Sequence, residues 1–73
     1  MVTDFDVYGV DNIEAFKTSV EESTMFKIVG ASMVIMSELS DVQEMILRGM
    51  DEEARKTINR VKYLVHRFNV ARP

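Results

Sequence analysis

Cysteine is absent from this 73-residue sequence, histidine and proline occur once each as His66 and Pro73, and the three glycines stand far apart at 9, 30 and 49. Without cysteine there are no disulfides and no thiolate ligands, and one imidazole cannot build a nitrogen-rich zinc site within a chain. The glycines are too dispersed for a phosphate-cradling loop, and no serine sits in a nucleophile elbow. Three residues before His66 stands Tyr63, not the glutamate of a di-iron Glu-x-x-His pair, so His66 reads as a surface or interface residue. Asp4-Phe5-Asp6-Val7-Tyr8-Gly9 has the acids and glycine of a calcium loop at its first, third and sixth positions. Tyr8 and Ala15 stand where the fifth and twelfth ligands belong, and the match fails. These absences predict a non-enzymatic protein with no catalytic residues, no metal and no cofactor.

Long hydrophobic runs are missing too. The longest nearly uncharged apolar run, residues 28–37, is about half of the ~20 residues that cross a bilayer. The first ten residues lack the basic and apolar regions of a signal peptide. The expectation is a cytoplasmic protein with no membrane association.

Seventy-three residues fit one domain, which buries only about 60% of the surface its unfolded chain exposes. With disulfides and metals excluded, oligomerisation or regular helix packing must supply the remaining stability.

What is present is a stretch from Met25 to Met50 that holds most of the aliphatic residues and five of the six methionines. Ile28, Ile35 and Val42 recur every seven residues, with Met25, Ser32, Leu39 and Ile46 on the companion positions of the same frame. Val29, Met33, Met36, Leu47 and Met50 cover an adjoining face. The stretch predicts one long helix over 25–48. Ser40 followed by Gln43 raises a kink near Ser37–Ser40, but the apolar frame runs through it unchanged. A strand over 25–36 fails for want of alternation. Gly30, Ala31 and Ser32 are small enough to admit a neighbouring helix.

On either side of this stretch lie shorter elements. Residues 1–10 read as an extended arm. Asp11 and Glu14 match a capping box, so a first helix spans 11–23, with Ile13, Phe16 and Val20 inward and Lys17–Glu21 as an outer pair. Ser23 and Thr24 favour a break near 22–25 over a continuous helix from 12 to 48. Gly49 suits a left-handed helix end and Asp51 a following N-cap, which predicts a tight αα-hairpin. A third helix then spans 51–69, with Ala54, Ile58, Val61, Leu64, Val65 and Phe68 inward. The fold class is all-α, with three helices and no internal repeat.

Charge is divided unevenly. Residues 1–53 carry all twelve acids against Lys17, Lys27 and Arg48, a balance of −9, whereas residues 54–73 carry six bases and no acid. Arg55, Lys56, Arg60, Lys62 and Arg67, with Tyr63 among them and Arg72 beyond, form the one candidate surface for nucleic acid. The positions do not make a single row, and the whole chain is acidic, which favours a solvated face that offsets the acidic helices. A central helix apolar on most of its circumference must be surrounded, and two short neighbours leave a surplus. The surplus predicts a homo-oligomer, most simply a dimer, with Ile28, Val29, Ala31, Ser32, Met33 and Met36 in the interface. The function expected is a protein–protein interaction or regulatory module, with accessory nucleic-acid binding as the alternative.

Overall fold

The computed structural model describes residues 1–69, so Arg72 and the end of the chain lie outside the described residues. The predicted all-α class is what the chain adopts. Among the described residues there are four helices, α1 (Asp4–Tyr8), α2 (Ile13–Glu21), α3 (Thr24–Leu47) and α4 (Asp51–Phe68), and no strand.

The extended arm expected over 1–10 is instead one helical turn, stopped at both ends by side-chain and backbone chemistry. The Thr3 hydroxyl accepts from the Asp6 N–H at 3.2 Å while the Asp6 carboxylate accepts from the Thr3 N–H at 3.1 Å. Gly9 closes the turn with φ 75° and donates to the Phe5 carbonyl at 2.9 Å. This left-handed conformation carries no steric penalty for glycine. The β-favouring side chains of Phe5, Val7 and Tyr8 are overridden by these two caps.

Asn12, not Asp11, begins α2, with its side-chain oxygen accepting from the Ala15 N–H at 3.0 Å. Asp4 reaches across and accepts from the Ile13 N–H at 2.9 Å. Two of the free donors at the start of α2 are thereby satisfied. The predicted break follows at Ser23, whose hydroxyl accepts from the Phe26 N–H at 3.1 Å and donates to the Val20 carbonyl at 2.7 Å. The Lys17–Glu21 pair closes at 3.1 Å.

The largest departure from expectation lies inside α3. Gly30 takes φ 83° and ψ 175°, a non-helical conformation that kinks the element and is essentially restricted to glycine. Ser37–Ser40 is regular helix. A side chain at Gly30 would meet nothing within 4 Å, so this glycine serves the backbone and not the close approach of a neighbour. The kink also ends the seven-residue frame. Ile35 and Val42 are buried at 6% exposure each, whereas Ile28, one heptad earlier, is 75% exposed.

The hairpin is as expected, with one change of residue. The Met50 N–H donates to the Met45 carbonyl at 2.8 Å and the Gly49 N–H to Ile46 at 3.1 Å, the paired bonds of a Schellman ending around left-handed Gly49. Met50 then precedes α4 with no side-chain cap, and Asp51 is the first helical residue. Asp51, Glu52 and Glu53 together put negative charge at the helix N-terminus, where the macrodipole favours it. Arg55 pairs with Glu52 of this first turn at 2.7 Å.

The core lies between α3 and α4. Val34, Ile35 and Val42 of α3 and Ala54, Thr57, Val61 and Leu64 of α4 are buried, as is Ile13 of α2. Phe16, Tyr63, Val65 and Phe68 pack around Ile35, Val61 and Leu64. Phe26 brings the turn before the kink back onto Phe68, ring centroids 5.1 Å apart. Ile58, expected inside, is 38% exposed, and Thr57 takes the inward place. Spacing admits either residue, since 54-57-61-64 and 54-58-61-65-68 both alternate steps of three and four, and burial alone separates Thr57 from Ile58. The Thr57 hydroxyl remains satisfied, accepting from Arg60 at 2.8 Å and lying 3.7 Å from the Met45 sulfur.

Candidate functional site

Beyond Gly30, α3 has two apolar faces, and the molecule covers only one. At 100° per residue, Val34, Ile35, Glu38 and Val42 point to one side, while Ser32, Met33, Met36, Leu39, Ser40, Gln43, Ile46 and Leu47 fill a sector roughly 140° wide on the other. Every residue of that second sector is exposed. None of them is charged, because Glu38, Asp41, Glu44 and Arg48 all fall outside it. Leu47 is 81% exposed, and Met33, Met36, Leu39 and Ile46 lie between 47% and 58%. Isolated exposed apolar residues are ordinary, whereas these form one contiguous, uncharged stripe. A shallow groove of about 400 Å³ runs along it, lined by Met36, Leu39, Ser40, Val42, Gln43 and Ile46.

The predicted interface straddles the kink. Ile28 and Val29 are exposed on the turn before Gly30, Ala31 is half-buried, and Ser32, Met33 and Met36 are exposed after it. The structure therefore brings the last three together with Leu39 and Ile46 of the heptad frame and Leu47 of the adjoining face. Burial separates them from Ile35 and Val42, and periodicity does not.

The basic residues of α4 are brought near one another but are largely occupied. Arg55 bonds Glu52 and, at 3.3 Å, the Asp6 carbonyl. Lys56 sits over the Phe5 ring, 4.8 Å from its centroid. Arg60 approaches Glu38 at 4.0 Å and lies over Phe16. Glu14, freed from capping by Asn12, accepts a hydrogen bond from the Tyr63 hydroxyl and pairs with Arg67 at 3.6 Å. Tyr63 also meets the edge of Tyr8, centroids 5.7 Å apart. The acidic N-terminal segment thus lies along the basic side of α4, and Lys62 stands exposed beside it.

Three carboxyls on these surfaces are displaced, Glu52 downward by its hydrogen bond from Arg55. The Thr3 N–H, and then its hydroxyl, hold Asp6 below the ordinary aspartate value. Burial pushes Glu38 up, against the pull of Arg60 and with a smaller push from Asp41. Both acids of the rejected calcium-loop pattern are engaged in helix capping. Among the described residues, no three histidine, aspartate or glutamate side chains gather as metal ligands, and no helix is long and apolar enough to cross a membrane. No protein-family model, no curated protein and no solved structure matches this chain.

Proposed function

We propose that this chain is a non-enzymatic helical interaction module whose working surface is the uncharged outer sector of α3 from Ser32 to Leu47. The observation that carries the reading is the stripe of Met33, Met36, Leu39, Ile46 and Leu47, exposed on a helix whose opposite face is already packed. Fully covering a side chain of this size is worth about 1.5–3 kcal/mol, so the exposed fractions of these five amount to roughly 4–9 kcal/mol. Association itself costs about 4–15 kcal/mol, so an occupant must bring apolar surface of its own. Two methionines give the stripe side chains that re-pack readily around what covers them. A cysteine-free chain of this kind suits the cytoplasm. Nucleic-acid binding gains no support from α4, whose cations are mostly engaged by Glu14, Glu38, Glu52 and Phe5.

The test is affinity retention from the native host with wild type, Met36→Glu and Lys62→Glu as baits. The reading expects host proteins held by wild type and Lys62→Glu but released by Met36→Glu. Identical retention by all three baits would refute it.

A further inference from the structure

The outer sector of α3 has a spacing that specifies its occupant more closely. Residues 32, 36, 39, 43 and 46 alternate steps of four and three, the repeat of a helix that packs its seam against another helix in a left-handed pair. All five are exposed, and they lie on the side away from the seam that α3 makes with α4.

We infer that the helix seated on this seam is the same helix of a second copy, paired about a two-fold axis that brings Gln43 against its counterpart. This rests on the interaction reading above and names its partner. Gln43 is the only long polar side chain in the stripe, flanked by Met36, Leu39, Ile46 and Leu47. Buried against an apolar partner, its amide would lose its hydrogen bonds to water without replacement. Against its own copy, each amide offers the N–H and the carbonyl that the other lacks, and such a polar seam position fixes register and copy number. Nothing in the seam repels, because it holds no charge and the adjacent Glu44 and Arg48 neutralise each other at 3.0 Å within one chain.

The size of the patch fits this pairing. The exposed portions of its five large apolar side chains amount to roughly 300 Å² per copy, taking about 100 Å² for each side chain fully covered. With apolar atoms forming about 60% of an interface, the pair buries on the order of 1,000 Å² in total. That is the lower bound for a specific interface, the size of weak and transient pairings.

The absence of cysteine supplies a clean test. Pure wild-type chain is sedimented between about 5 and about 500 μM, a range that brackets a micromolar dissociation constant. Single-cysteine variants Gln43→Cys and Lys62→Cys are oxidised in parallel at equal concentration. The pairing expects wild type to pass from monomer to dimer across the range. Leu39→Glu should remain monomeric with unchanged helical circular dichroism. Disulfide dimers should form at least about tenfold faster at position 43 than at 62, since two thiols bridge only when their Cα atoms approach within about 7 Å. A wild type monomeric throughout, or equal rates at the two positions, overturns it. If a monomeric wild type still retains host proteins through Met36, only the self-pairing has failed. If it retains none, the interaction reading fails with it.

Discussion

The Asn59 side-chain amide donates to the Val7 carbonyl at 2.8 Å, joining residues 52 apart in sequence. With Arg55 on the Asp6 carbonyl, it satisfies two of the carbonyls that end α1. A helix of five residues cannot hold itself together, because so short a segment does not recover the cost of nucleation. α1 therefore exists because α4 receives it.

Replacing Asn59 by alanine removes the bond and leaves the carbonyl without its donor. We expect a loss of about 1–2 kcal/mol in urea unfolding, with faster amide exchange at Val7 and Gly9. Exchange unchanged in the first ten residues would mean that α1 does not depend on this contact.

Gly30→Ala tests the kink. Because nothing approaches within 4 Å of the added methyl group, the cost is purely one of backbone conformation, about 1–3 kcal/mol. D-alanine at the same position, introduced by chemical synthesis, should cost little, since positive φ is ordinary for that enantiomer. Equal stability of the two variants would show that the kink is not required.

Gly30 also shows where the sequence stops being informative. Caps with strong local chemistry were legible: the break at Ser23 and the hairpin at Gly49 stand where side-chain and glycine chemistry put them. The inward face of α4 was readable except at Ile58, which stands four residues after Ala54 and three before Val61 and so fits a seam as well as the less hydrophobic Thr57 that is buried instead. The kink was not legible, because a lone glycine in an apolar helix has no flanking signal, and the Phe26–Phe68 contact that accompanies it joins residues far apart in the sequence. α1 was missed because Thr3-x-x-Asp6 caps as well as a Glu or Gln pattern, while the intervening residues favour strand. The outer stripe was visible as surplus apolar surface. Its centre shifted toward the C-terminus once Ile35 and Val42 proved to be the covered pair.

Glu38 and Asp6 predict a particular dependence on pH. Burial raises the Glu38 carboxyl, so the folded state binds that proton more tightly than the unfolded one. Its contribution to stability is full below the unfolded value, ordinarily 4.5, and is lost as pH rises through the folded value. Asp6 acts oppositely, its folded value being held below the ordinary 3.8 by Thr3. Its contribution is present above 3.8 and is lost as pH falls through the folded value. Acidification from neutrality should therefore first raise stability through Glu38 and then lower it through Asp6 and through Glu52, which Arg55 likewise holds below its ordinary value. Glu38→Gln should abolish the first phase and raise neutral stability by about 0.5 kcal/mol. Thermal midpoints measured across the acid range decide it, and a wild-type profile that only falls would contradict the assignment.

Leu64 and Leu39 carry the same side chain in opposite circumstances, at 0% and 47% exposure. Leu64→Ala leaves a cavity between α3 and α4 and should cost about 2–5 kcal/mol at any protein concentration. Leu39→Ala removes a side chain that a single copy leaves half in water, so in dilute solution its cost should stay within about 1 kcal/mol. If two copies meet along this stripe, that cost must grow as protein concentration rises, because association stabilises only the folded chain and does so by mass action. Unfolding midpoints at two concentrations, about a hundredfold apart, separate these behaviours. The Leu64→Ala deficit should stay constant between the two concentrations, and the Leu39→Ala deficit should widen. A Leu39→Ala deficit independent of concentration would mean that the outer face of α3 meets no second copy in solution.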